Sequence, residues 1–325
     1  MGSVMPASIP SPGSGTIEIG PLNLSAYGMM IALGVLAAGW LARRRLVAKQ
    51  WGTRDQMSSI TTWAVIAGVV GSRIYHVVTD WSRYKDDLGD IPKIWQGGLG
   101  IPGGLIAGTV VGIAVAKHHG ISARRIATVA APAIPLAQAI GRWGNYWNQE
   151  LFGRATDLPW ALEIDESKIP LGYQPGTTFH PTFLYESLGN LLICVLLIVI
   201  DRRFRPRAGW LFAMYLIGYS ALRFGTESLR IDRANEIAGL RVNTWMSMIV
   251  FAAALMWLLW DSRRVAPLDA EPDAPGLNGS GPGDPAGDPV GDSAGDSADD
   301  PSGDDGAGAA AGHAAVDERR DEEPA

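Results

Sequence analysis

Between Gly141 and Arg154 the chain reads GRWGNYWNQELFGR, with Arg142, Asn145, Asn148, Glu150 and Arg154 set among aromatics and glycines. Guanidinium groups recognise phosphate and carboxylate through paired hydrogen bonds, and amides and acids hold them in place. Further along, Tyr219, Arg223 and Glu227 stand four apart, so on a helix they share one face. Arg73, Tyr75 and His76 form a third group, His180, Tyr185 and Glu186 a fourth, and Arg230 follows Glu227. Such residues are costly in or beside apolar segments and mark a site by default. Single arginines near a membrane often snorkel to phosphates or tie helices together. Simple anchors, however, need no accompanying asparagines, histidines and acids. The set therefore points to one site for an anionic headgroup. Residue chemistry alone does not separate binding a phospholipid from transforming one.

The elements that must position these groups are membrane spans. An uncharged run of about 18 residues or more can cross the hydrocarbon core as a helix. Seven such runs are expected, near 22–42, 57–79, 98–116, 125–141, 182–200, 208–226 and 243–260. The fourth is short and contains Pro132 and Pro135, which a bundle tolerates where neighbours satisfy the freed carbonyls. Lys and Arg cluster in RRRLVAKQWGTR, KHHGISARR, DRRFRPR and DSRR, after spans one, three, five and seven. The positive-inside rule then puts the N-terminus outside and the C-terminus in the cytoplasm. All the polar groups above fall toward the outer ends. The N-terminus lacks a basic n-region and a small-residue cleavage site, so span one reads as a retained helix. Gly100, Gly104, Gly108 and Gly112 lie four apart, a small-residue face for close helix packing, and the loop end at Gly97–Gly104 also offers backbone to a ligand.

Charge divides the chain. Residues 266–325 carry sixteen Asp and Glu and two Arg, a net of −14, whereas residues 1–265 carry about +8. The tail DPAGDPVGDSAGDSADDPSGDDGAGAAAG is acidic, low in complexity and nearly free of large apolar side chains. It reads as disordered, behind a membrane domain of residues 1–265. The only cysteine, Cys194, lies in LLICVLLIVI and reads as a packing residue. The histidines lack ligand spacing, so no metal is expected. No P-loop, dinucleotide fingerprint or serine-nucleophile elbow is present, and no cofactor and no nucleic-acid partner are expected. Phosphatidyl transfer from a nucleotide-activated lipid would need an inner-face carboxylate cluster, which is not visible. A phospholipid transporter or receptor-like bundle explains seven spans but gives no reason for the 141–154 segment.

That segment closely resembles the signature G-R-x-G-N-x-x-N-x-E-x-x-G-R of the prolipoprotein diacylglyceryl transferases. SAYGMMIALG, GSRIYHVVTD, GGLGIPGG, HPTFLYES and YSALRFGTESLR follow the family's order, so the likeness covers roughly residues 20–260. The resemblance implies an all-α, seven-span enzyme of the bacterial inner membrane. It implies transfer of the diacylglyceryl unit of phosphatidylglycerol to the lipobox cysteine of a prolipoprotein, with release of glycerol phosphate. Expected partners are thus phosphatidylglycerol, the signal-peptide and lipobox segment, and membrane lipids. The family's essential arginines fall on Arg142 and Arg223, its asparagine on Asn145, its acid on Glu150 and its later glycine on Gly153. Tyr219 and Glu227 flank Arg223, and the first-span tyrosine falls on Tyr27. Many members carry a histidine, proposed as a base, where this chain has Pro102. His76 is the nearest replacement by segment; the competing role for it is a polar packing or headgroup contact. In this reading Arg142 and Arg223 hold the leaving phosphate, and Asn145 and Asn148 bind glycerol hydroxyls or fix the loop. Glu150 orients an arginine, and Arg154 and Arg230 contact the headgroup or tie helices.

Overall fold

A computed structural model describes residues 8–264 apart from positions 14, 20, 21 and 233. The acidic tail, with the expected disorder and domain boundary, lies outside the described residues. Among the described residues eight α-helices run in order: α1 Ala26–Ala48, α2 Arg54–Thr79, α3 Trp81–Tyr84, α4 Ile101–His118, α5 Ala123–Asn148, α6 Thr182–Phe204, α7 Trp210–Glu227 and α8 Val242–Arg263. All but the single turn α3 span 18 to 26 residues. Side-chain caps fix several starts, including a Thr53–Gln56 capping box on α2 and Ser122 on α5. Two small antiparallel pairs depart from the all-α expectation: β1 Thr16–Ile19 with β2 Leu22–Ser25, and β3 Glu236–Ile237 with β4 Leu240–Arg241. Strands of two to four residues are too short to leave an alternating pattern.

Among the described residues five helices, α1, α2, α4, α6 and α8, are long and apolar enough to cross a membrane. They turn residues such as Leu36, Ile74, Leu105, Leu192 and Met256 outward, more than half exposed. An apolar jacket of this kind is stable only in lipid, so the protein is a multi-pass membrane protein. Helix α5 differs. It packs against α1, α4, α6 and α7, and its buried residues run from Thr128 to Asn145. Hydropathy placed the end of this segment at 141, yet the helix continues to Asn148. Charge ends an apolar run but not a helix, because these polar side chains find partners inside the protein. Pro132 leaves the Thr128 carbonyl without its helical donor, and Arg45 of α1 donates to it at 3.4 Å.

One end of the bundle is closed by the short connections 49–53, 119–122 and 205–209. Buried acids lock it. Asp201 holds Arg45 and Lys49, each at 2.9 Å, and Asp261 accepts from Trp210 at 2.7 Å and faces Arg124 at 3.3 Å. At the opposite end the loop 149–181, the N-terminal segment and the β3–β4 hairpin form a cap. Its core is Phe152, Leu162, Ile164 and Phe179, packed on Phe183 of α6. The expected glycine face of α4 lies along α2: a Cβ on Gly108 would stand 3.0 Å from the Ala64 carbonyl, and one on Gly103 would collide with the Gly71 backbone.

Candidate functional site

The capped end gathers the arginines. Helix α5 delivers Arg142 one turn beyond its last apolar stretch, α6 delivers Glu186 in its second turn, and α7 delivers Arg223 and Glu227 at its close. Glu186 is 3 % exposed and lies between two guanidinium groups: Arg142 Nε at 2.5 Å and Arg223 Nη1 at 3.2 Å. Arg223 Nη2 pairs in turn with Glu227 at 2.8 Å, as the four-residue spacing predicts. Glu227, 1 % exposed, also takes Arg241 Nε at 2.9 Å and accepts from Asn243 at 3.3 Å. Arg241 reaches Asp232 at 2.9 Å, which receives two bonds from Arg230 at 2.7 and 2.8 Å. Charges alternate along this chain of contacts. Its four arginines and three acids leave a net charge of +1.

Each buried carboxylate is needed by two cations, so removing one would strand them. The side chains of Arg142 and Arg223 remain 19 % and 14 % exposed, so neither is sealed off as the carboxylates are. Burial alone would raise the Asp232 carboxyl, but the Arg230 hydrogen bonds and the Arg230 and Arg241 charges outweigh it and hold it below the ordinary carboxylate range.

The 141–154 segment divides at the end of α5. Asn145, 6 % exposed, accepts from Arg142 Nη1 at 3.5 Å and donates to Glu150 at 2.9 Å. Asn148 donates to the same Glu150 oxygen at 3.2 Å. Glu150 therefore reaches Arg142 through Asn145, and it is Glu186 that touches the arginines directly. Gln149 takes the left-handed conformation (φ 51°) that ends the helix, and its amide clasps Asp165 from both sides at 2.6 and 2.8 Å. Hydrogen bonds from Ser11 and Gln149 keep the Asp165 carboxyl below its usual range.

Gly153 lies where three segments cross. Its N–H donates to the His180 carbonyl at 2.9 Å, it bridges to Arg230, and a Cβ there would stand 2.8 Å from the His180 Cβ. Arg154 is exposed, with no ion pair or side-chain hydrogen bond among the described residues, while its backbone joins Leu229 and His180. Tyr27 of α1 packs on Gly144 so closely that a Cβ would meet its ring at 2.5 Å. Tyr219 stacks on Tyr215, with ring centroids 5.9 Å apart.

The α2 group forms a separate cluster. Arg73, 6 % exposed, donates to the carbonyls of Asp90, Ile91, Lys93, Gly97 and Gly98 at 2.6 to 3.3 Å, gathering the whole 90–98 loop around one fork. His76 packs against Gly98 and edge-on to Tyr84, and Asp80 stands 3.9 Å away. Its Nε2 is buried without a hydrogen-bond partner among the described residues. Pro102 occupies the first turn of α4, where its missing N–H costs nothing.

Sequence reasoning noted Glu186 but gave it no role, and it passed over Arg241, Asp232, Asn243 and Gln149. A carboxylate inside the second turn of an apolar helix was the available signal for Glu186. Arg241 and Asp232 looked like ordinary loop charges, and only their convergence on Glu227 distinguishes them.

The prolipoprotein diacylglyceryl transferase family model matches residues 14–260. Phosphatidylglycerol–prolipoprotein diacylglyceryl transferase 2 of Streptomyces coelicolor is 45 % identical over 261 residues, covering 79 % of this chain and 82 % of the relative. The transferase of that name from Rhodococcus jostii is 43 % identical over 295 residues, 86 % of this chain and 82 % of its own length. That of Frankia alni is 46 % identical over 266 residues, 80 % and 69 % of the two chains.

Proposed function

The chain belongs to the prolipoprotein diacylglyceryl transferase family, and from that premise we propose how its site works. It transfers the diacylglyceryl group of phosphatidylglycerol to the thiol of a prolipoprotein's lipobox cysteine and releases glycerol phosphate. The observation that carries the mechanism is the meeting of Arg142 and Arg223, from α5 and α7, on the single carboxylate of Glu186 at 2.5 and 3.2 Å.

In the reaction the cysteine sulfur attacks the glycerol carbon that bears the phosphate. A carbon–sulfur bond forms, the carbon–oxygen bond breaks, and its electron pair leaves with glycerol phosphate. An alkyl phosphate departs readily only when its growing charge is met. Preorganised cations in a water-poor site meet it at no reorganisation cost. We assign that role to Arg142 and Arg223, held by Glu186 and Glu227, with Glu150 steering Arg142 through Asn145. Asn148 helps to fix Glu150, and the exposed Arg154 contacts the headgroup. Tyr27 and Gly153 shape the walls, with Tyr219 and its partner Tyr215 behind Arg223. The thiol proton is assigned to His76, whose Nε2 is buried with no hydrogen-bond partner among the described residues.

In this proposal all seven long helices cross the bacterial inner membrane. The N-terminus is outside, the capped end faces the outer leaflet, and the C-terminus enters the cytoplasm. α5 and α7 span without meeting the hydropathy of lipid-facing helices because their polar residues turn to the protein. The supporting pattern is the concentration of Lys and Arg at the other end.

The test mixes detergent-solubilised protein with phosphatidylglycerol and a lipobox peptide. Peptide mass gain matched by glycerol phosphate release is expected, with loss of release in Arg142→Ala and Arg223→Ala. Lipid binding without release from the wild type would point to a transporter. Near-normal release by His76→Gln would remove the base assignment alone.

A further inference from the structure

The closed end of the bundle carries cations that the Glu186 network, at the opposite end of the helices, does not use. Helices α1 and α2 hold a single carboxylate between them, Asp55, which lies in the first turn of α2 and makes no ion pair among the described residues. Asp201 of α6 spends one oxygen on Arg45 and the other on Lys49. That leaves Arg43, Arg44 and Arg54, all exposed, with no acid partner among the described residues. Arg44 is steadied by Trp40, whose ring centroid lies 5.1 Å from the guanidinium carbon.

Arg43 opens onto a groove of about 260 Å³ between α1 and α2. The groove is apolar where Val35 and Leu36 line it and polar at Arg43 and Ser58, which lie nearer the closed end. From Val35 to Arg43 the helix rises about 12 Å. At mid-length a Cβ on Gly39 would stand 3.3 Å from Thr61 Cγ2, so the two helices approach closely and the groove lies on their outer side. That side faces lipid: Leu36 and Trp63 beside it are more than half exposed. Ser58 and Thr61 spend their hydroxyl protons on the carbonyls of Arg54 and Met57, each at 2.9 Å. Thr62, also in the groove, makes no hydrogen bond among the described residues, so its hydroxyl joins the Arg43 fork as an uncommitted donor.

We propose that this groove binds one anionic phospholipid. Its phosphate sits on Arg43, with Arg44 and Arg54 complementing the charge. Its glycerol esters lie toward Thr62, and one acyl chain follows Val35 and Leu36. Cations at the end of a span find their counter-charge in the headgroup layer, and basic pockets between spans select anionic lipids. A zwitterionic headgroup brings its own ammonium and offers no net charge to three unpaired arginines. The site requires only that α1 and α2 cross the bilayer, and no bond is made or broken there.

The experiment is native mass spectrometry of the full chain in detergent, titrated with dioleoyl phosphatidylserine or dioleoyl phosphatidylcholine, which share acyl chains and differ in net charge. The wild type should take up one phosphatidylserine at least about fivefold more tightly than phosphatidylcholine, as one arginine near a headgroup requires. Arg43→Gln should weaken that uptake by about fivefold or more. Thr62→Trp fills the groove, keeps all three arginines and should weaken it as much. Both positions are exposed, and unchanged unfolding midpoints in lipid-free detergent would verify that the variants are folded. Equal affinity for the two lipids, or unchanged phosphatidylserine uptake in either variant, would overturn the proposal. So would displacement by inorganic phosphate, which would mark a free-anion site with no need of an acyl chain. An adduct lost in Arg142→Ala but kept in Arg43→Gln would place the lipid at the capped end and overturn it too. The readout is bound lipid, so failure of the transferase reading leaves this test intact.

Discussion

Replacing Glu186 by Gln tests whether one carboxylate sets both arginines. The substitution keeps the shape and one carbonyl oxygen but removes the charge. In the wild type, one carboxylate oxygen faces Arg142 Nε at 2.5 Å and the other faces Arg223 Nη1 at 3.2 Å. A glutamine can offer its oxygen to only one of them, and its NH2 must then point at the other guanidinium. One charge-assisted contact is lost, worth about 1.5–3 kcal/mol. If that contact places the arginine on the transition-state phosphate, kcat/KM falls roughly 10- to 150-fold at about 1.4 kcal/mol per decade. The fall should lie mainly in kcat, because the leaving group carries its full charge only in the transition state. Asp201 supplies a matched control. It too is a buried acid between two cations, Arg45 and Lys49, but at the closed end of the bundle. Asp201→Asn should lower thermal stability by a similar amount and keep kcat/KM within about threefold of wild type where the protein is folded. Activity is read as glycerol phosphate release from phosphatidylglycerol with a lipobox peptide, and stability as thermal unfolding in the same detergent. If Glu186→Gln retained activity within twofold of wild type, or fell no further than Asp201→Asn, the reasoning would be refuted.

Three further outcomes are expected. Gly144→Ala places a methyl 2.5 Å from the Tyr27 ring and should separate α1 from α5, costing about 1–3 kcal/mol as a lowered unfolding temperature; an unchanged midpoint would contradict the packing. Arg73→Lys keeps the charge but not a fork that serves five carbonyls, so the 85–100 loop should become several-fold more sensitive to protease while the rest of the chain is spared. Asp232 has a folded pKa below its unfolded one. Its contribution is therefore fully present above the ordinary carboxylate range and is lost as pH falls through the depressed folded value. Unfolding midpoints measured from neutral pH down through that range should drop more steeply for the wild type than for Asp232→Asn, and parallel curves would exclude the linkage.

What the sequence determined by itself was local or compositional. Apolar runs located the five helices long and apolar enough to cross a membrane, because a run of that length leaves a signal that no neighbour needs to complete. The four-residue spacing of Tyr219, Arg223 and Glu227 gave a shared face, and the 223–227 ion pair follows from helix geometry alone. The density of polar residues from 141 to 154 marked a candidate site and carried the family resemblance. The tertiary structure decided matters that depend on meeting across distance. Helix α5 runs to Asn148 because Glu150, Glu186 and the cap satisfy its polar end, which hydropathy reads as a stop. Glu186 became the shared partner of Arg142 and Arg223 only when α6 was placed between α5 and α7. Arg241 gained its place through a hairpin too short to announce itself. A charged side chain carries its cost in its own composition, but its partner is fixed by packing, and packing is not written in any one stretch of chain.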